Sequence, residues 1–187
     1  MKTKFYEFSN SCETKWYTGH VLTEIDRSFL DKGMRGFSDA IRVSIIGGTI
    51  PGDFLWNSLC ILIVSCKVLE VWEQFGGFET FPVVIEQNPS PAEYTGVAFL
   101  GRGGPFDPVR SRVVYSKCLN EEGKPAIMKI DGFYFDESQW DGSDLFTLDE
   151  FPCVKIVTER VVEAMRKAKV THCHYVPLEE SGYGYKK

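Results

Sequence analysis

His172 and His174, two residues apart, are the side chains here whose type and spacing come nearest to starting a metal site. On a strand, residues i and i+2 share a face, so both imidazoles would point the same way. A zinc centre needs three or four ligands. Further donors such as His20 and Cys12 are distant in sequence. The pair therefore reads as structural or surface histidines, with no metal expected; a small metal-dependent enzyme or sensor using His172 and His174 is the alternative. The run Gly101-Arg102-Gly103-Gly104-Pro105 has the glycine content of a phosphate cradle but lacks Lys-Ser/Thr and opens no helix. It reads as a glycine-rich surface turn. Six cysteines, at 12, 60, 66, 118, 153 and 173, form no CxxC pair. Cys60 and Cys153 fall in apolar runs that read as core strands, where burial raises a thiol's pKa and dulls it. Cys173 points to the strand face opposite its histidine neighbours. Neither GxSxG nor HExxH occurs. The chain is read as a non-enzyme, with no catalytic residue and no cofactor.

These side chains are carried by two strand–helix–strand units, read over 53–87 and 144–180. In the second, Cys153-Val154-Lys155-Ile156-Val157 suits a half-buried strand. Thr158 offers a hydroxyl cap and Glu159 a negative charge to the helix that follows. Val161, Val162, Met165 and Ala168 make one apolar stripe, and 172–178 returns as a strand. Sliding the chain by 93 residues lays 60–86 over 153–179, with seven of 27 pairs identical. Ser65 falls on Thr158, and the stripe Val68, Leu69, Trp72, Phe75 falls on its counterpart. Cap, stripe and flanking strands agree, so a weak internal repeat is expected. Glu79 and Phe81 occupy the histidine positions of the first unit.

The remaining elements follow from local signals. Residues 5–8, 20–25 and 42–46 read as strands, with a short helical turn inside 26–35. Pro51-Gly52-Asp53 marks a turn, and Gly76-Gly77 stops the first helix. The stretch 87–93, Gln-Asn-Pro-Ser-Pro-Ala-Glu, is the candidate boundary between halves. Residues 94–100 and 113–116 flank the glycine loop as strands. Residues 126–130 and 133–135 read as a hairpin around Asp131-Gly132, and 181–187 as a frayed end. The expected fold class is α+β: a mixed, mainly antiparallel sheet in one domain over 1–187.

Composition narrows the partners. A hydrophobic fraction of 43% and an aromatic fraction of 14% supply a packed interior. The net charge of −5 and pI near 5.3 disfavour nucleic acid and anionic membranes and suit a basic protein. No apolar run reaches membrane-spanning length, the first residues carry no secretory-type apolar segment, and the cysteine pattern suits a reducing cytoplasm. Residues 131–150 hold seven acids and no lysine or arginine: Asp131, Asp136, Glu137, Asp141, Asp144, Asp149 and Glu150. Phe133, Tyr134, Phe135 and Trp140 are interleaved with them. One reading is an interface that steers in and anchors a basic partner through Asp131, Asp136, Glu137, Trp140, Asp141 and Asp144. The other is a solvated edge whose aromatics turn into the core. Self-association through a sheet edge, giving a homodimer, is a further alternative.

The ending carries a family likeness. Asp144-Leu145-Phe146-Thr147-Leu148, then Ile156-Val157-Thr158-Glu159-Arg160-Val161, then Val170-Thr171 and Tyr175-Val176-Pro177-Leu178 resemble the C-terminal signature of a bacterial immunity-protein family. It is the eleventh of those catalogued beside polymorphic toxins. Ile130-Asp131 and 133–136 resemble the segment before that signature, and 94–117 its central region. The resemblance spans roughly 53–180 and departs at His172, where the family has glycine. It implies a cytoplasmic protein that binds and neutralises a co-encoded toxin, and it implies no catalytic residues.

Overall fold

The computed structural model describes residues 3–10, 14–86, 93–119, 123 and 125–184. In chain order they form β1 (Phe5–Asn10), β2 (Thr18–Val21), α1 (Arg27–Leu30), β3 (Ile41–Gly47), β4 (Leu62–Ser65), α2 (Cys66–Trp72), β5 (Phe78–Glu86) and β6 (Tyr94–Phe99). There follow β7 (Gly101–Arg102), β8 (Val114–Leu119), β9 (Pro125–Asp131), β10 (Leu145–Leu148), β11 (Phe151–Thr158), α3 (Glu159–Lys167), β12 (Cys173–Pro177) and β13 (Gly182–Tyr183). The strands make two five-stranded sheets, β2-β3-β5-β6-β4 and β12-β1-β11-β10-β7, and a three-stranded sheet, β13-β9-β8. Neighbours run antiparallel except β3 with β5 and β7 with β10. The α+β, strand-rich class expected from the sequence is present. No helix among the described residues is long and apolar enough to cross a membrane.

Alternation along the strands builds three apolar clusters. Leu62 and Val64 on β4, with Val97 and Phe99 on β6, face a central core shared with α2 and α3. Phe8 of β1, Leu145 of β10 and Val157 of β11 reach the same core from the other sheet. Ile63 and Ala98 face the opposite way, under residues 17–43. Ile156 and Phe146 turn outward, beneath Phe133, Phe135 and Ile130. Trp72 on α2 is fully buried, with its ring edge-on to Phe99 at 5.4 Å and Phe8 at 6.1 Å. Its apolar area locks the helix layer between the sheets, while its Nε1 has no partner among the described residues.

Both strand–helix–strand units form, and each is split. An antiparallel strand stands between the two parallel arms: β6 between β4 and β5, and β1 between β11 and β12. Val64 and Val157 hold matching registers, 93 residues apart. Beyond the helices the match is Pro82 with Pro177, 95 apart. The pairing of Val83 with Val176 and Glu86 with Glu179 read from the sequence is therefore out of register by two residues, because α3 is the longer helix. Ser65 and Thr158 stand at the N-cap positions, yet neither hydroxyl caps its helix. Each instead donates to an upstream carboxylate, Ser65 to Asp53 and Thr158 to Asp144. A basic side chain two residues on, Lys67 or Arg160, pairs with that same carboxylate at 3.1 Å.

The structure corrects other expectations. Residues 133–135 form no hairpin arm: Gly132 takes a positive φ of 84° and sends Phe133 and Phe135 into the third cluster. The edge of β9 is instead paired by β13, so 181–184 is ordered rather than frayed, with Ser181 buried and donating to Glu7. The closing strand starts at Cys173, because His172 sits in a left-handed turn at φ 63°. The turn at Gly76-Gly77 forms as read, with φ of 62° and 74°. Most of the expected boundary, 87–92, lies outside the described residues.

Candidate functional site

The acids of 131–150 divide into those that hold the loop and those that rim it. Asp144 is half-buried between the Thr158 hydroxyl and the Arg160 guanidinium. Asp141 accepts from the amides of Arg102 at 2.7 Å and Ser143 at 2.9 Å. Burial pushes its carboxyl up, but the Ser143 hydroxyl and these amides more than offset that and leave it below the usual range. Asp149 pairs with Arg35 and Arg102, each at 3.3 Å. Asp131 lies between Arg112 at 3.1 Å and Lys129 at 3.8 Å. Trp140 is half-buried: its Nε1 donates to the Ser143 carbonyl, and its ring packs edge-on to Phe5 at 5.1 Å. Phe133 and Phe135 are buried. Phe133, Phe135 and Trp140 therefore serve the third cluster, Asp141 anchors backbone amides, and Asp144 holds the Thr158 and Arg160 side chains at the start of α3.

Asp136 and Glu137 remain at the rim. The exposed Asp136 starts the 3-10 turn Glu137–Gln139, accepting from the Ser138 amide at 3.0 Å and from Gln139 Nε2 at 2.7 Å. The Ser138 hydroxyl, foremost among these donors, holds its pKa below the usual carboxylate range. Glu137 and Arg110 lie between two clefts. One, of about 290 Å³, runs over Phe133 and Tyr134 to Leu178; the other, of about 650 Å³ and open, lies between 105–108 and 135–139. The Arg110 guanidinium rests on the Tyr134 ring at 4.5 Å. The glycine loop closes this face from behind. A Cβ on Gly104 would fall 1.9 Å from the Asp136 carbonyl oxygen, and one on Gly103 would strike Leu148. These glycines permit close backbone approach, which accounts for the Gly-rich pattern without any phosphate.

The two histidines do not share a face. His172 is buried, with Nδ1 donating to the Phe54 carbonyl and its ring stacked on Trp16 at 5.3 Å. His174 is exposed on β12 opposite Ser9. Among the described residues no three His, Cys, Asp or Glu side chains gather as a metal site.

One site was missed in the sequence. Cys60 and Cys153 are exposed, not sunk in core strands, and they line one cleft in which their thiols are close enough to perturb each other. Asn57 builds the turn that presents Cys60, accepting from the amides of Leu59 and Ile61 at 3.2 Å and donating to the Ile61 carbonyl at 2.7 Å. Cys60 itself adopts φ 57°. Cys153 lies on β11, two residues from Lys155 and so on the same strand face. Lys155 is buried, its Nζ donating to the Pro152 carbonyl. Burial pushes its ammonium down to about 8. The hydrogen bond from Cys60, with help from Lys155, holds the Cys153 thiol well below its ordinary value, and Cys60 is pushed up in return. The Cys-x-Lys spacing on β11 was the available signal, since a lysine on a strand face marks that face as polar.

No family model and no curated protein matches the chain.

Proposed function

We propose that this chain is an immunity-type protein that binds a basic protein toxin encoded beside it and neutralises it by occlusion, with no catalytic step in the neutralisation. The observation that carries the reading is the pair of adjoining clefts that share Glu137 and Arg110, with Asp136 and Asp107 on the rim and apolar floors at Phe133 and Phe106. Acids around an apolar floor suit a lysine or arginine whose aliphatic stem is buried and whose charge stays at the edge. Of the six residues expected at the interface, Asp136 and Glu137 are the contacts we retain. Asp131, Asp141, Asp144 and Trp140 support the loop that displays them. A reducing cytoplasm fits the five free thiols among the described cysteines.

We also infer that the two split units descend from one duplicated element. Support comes from Asp53–Ser65–Lys67 and Asp144–Thr158–Arg160, which repeat one hydrogen-bonded triad at both helix starts.

The binding reading is tested with the purified product of the adjacent gene. Glu137→Lys places a cation at the junction of the clefts and is expected to slow association roughly tenfold at low salt, an effect that fades as salt rises. Unchanged association in the variant overturns the assignment of this face.

A further inference from the structure

Cys60 and Cys153 come from different units of the fold, yet their thiols meet in a cleft of about 220 Å³ lined also by Trp56, Asn57 and Lys155. We propose that this pair is a thiol–disulfide exchange site for low-molecular-weight disulfides, with Cys153 the attacking thiol and Cys60 the resolving one. The site stands on geometry. Both residues are exposed, both line this one cleft, and each is held by a rigid element, Cys153 by β11 and Cys60 by the turn that Asn57 ties. The groups that face Cys153 are Cys60, Lys155 and, across from β11, Asp31; Arg35 in turn faces Lys155. The Cys60 thiol, helped by the cationic Lys155, outweighs both burial and Asp31, so of the pair Cys153 is the one favoured as thiolate.

In the first step the Cys153 thiolate attacks one sulfur of a disulfide RSSR. A bond forms from Cys153 Sγ to that sulfur, the S–S bond breaks, and RS⁻ departs. Cys60 then loses its proton to solvent and attacks Cys153 Sγ, expelling the second RS⁻. The thiols have lost two electrons and two protons, and RSSR has become two RSH. The product, a Cys60–Cys153 disulfide, ties the turn before β4 to β11. Two thiols that line the same cleft need bring their sulfurs only to about 2.05 Å for that bond. Cytosolic disulfides of this kind are transient and redox-responsive.

The test uses the full chain and oxidised glutathione, read by intact mass and peptide mapping. The native chain is expected to lose two hydrogens, with the new bond mapped to Cys60–Cys153 and a melting midpoint raised by roughly 5–15 °C. Cys60→Ser is expected to trap glutathione on Cys153, because no resolving thiol remains. At neutral pH Cys153 should react roughly tenfold faster than the exposed Cys118. Lys155→Met, which keeps the stem, is expected to move the pH midpoint of Cys153 alkylation upward. A stable glutathione adduct on the native chain, or Cys118 reacting as fast as Cys153, overturns the proposal, as does failure of Cys60→Ser to trap an adduct while its melting midpoint matches the native one.

Discussion

Asp53 is one of the residues that join the two units, and replacing it with asparagine measures what that joint contributes. Its carboxylate accepts from Ser65 Oγ at 2.9 Å, Thr171 N at 2.7 Å, Thr171 Oγ1 at 2.8 Å and Lys67 Nζ at 3.1 Å. Asparagine keeps one acceptor oxygen and presents an amide NH₂ where the other stood. With its oxygen turned to Thr171 and Lys67 and its NH₂ toward Ser65 Oγ, the asparagine still loses the negative charge that strengthens these bonds and pairs with the Lys67 ammonium. Bonds to charged groups contribute about 1.5–3 kcal/mol each. The Lys67 side chain is 41% exposed, so its share is discounted for solvent screening. The expected loss is about 2–4 kcal/mol, which lowers the melting midpoint of a chain this size by roughly 5–15 °C.

The pH dependence gives an independent check. Burial alone would push the Asp53 carboxyl up, but the Thr171 amide and hydroxyl, Lys67 and Ser65 more than offset it and hold the folded pKa below 3.8. The unfolded chain therefore takes up this proton at higher pH than the folded one. The stability from Asp53 is full above the ordinary value and fades as pH falls through the lowered folded pKa. In thermal melts followed by circular dichroism, the gap between native and Asp53→Asn chains should be widest near neutrality and close in that acid range. A gap that stays constant with pH, or one below about 1 °C at neutrality, refutes the role assigned to this carboxylate.

Two further substitutions probe packing. Trp72→Ala empties the centre of the shared core and should cost about 3–5 kcal/mol. Trp72→Phe should cost markedly less, because it also removes the unpartnered buried Nε1; equal losses in denaturant melts would contradict this. Gly104→Ala drives a Cβ into the Asp136 carbonyl. It should displace the 135–139 turn and weaken partner binding more than Gly47→Ala, whose Cβ would meet only Thr18, at an ordinary 3.8 Å. Binding by both variants measured at one temperature decides it.

Much of the scaffold was legible because burial leaves a period in the sequence. The β-branched runs at Ile63-Val64 and Ile156-Val157, the stripe Val161, Val162, Met165, and the glycine pair at 76–77 identified both units and their ends. Residues that act by meeting something distant left no such trace. Gly182 and Tyr183 pair with Ile130 and Asp131 across the fold, and a two-residue strand has no period to detect. The alternation at 133–135 imitated a strand, although only Phe135 bridges to Phe106 there. Sliding the chain by 93 residues set Cys60 on Cys153 as equivalents, but equivalence in a repeat does not imply contact. They share a cleft because the turn at Asn57 brings Cys60 toward β11. The acids of 131–150 were visible as a charge run; their division into anchors and rim depends on Thr158 and Arg102, which reach Asp144 and Asp141 across the fold, as well as on the local pairs of Ser138 with Asp136 and Ser143 with Asp141.

Hydrogen–deuterium exchange on the chain alone and in complex with the adjacent gene's product tests the binding face most directly. Slowed exchange concentrated at 105–110 and 134–139, around the paired clefts, is the expected result. Protection confined to other surfaces, such as the exposed edges of β2 or β12, would contradict it.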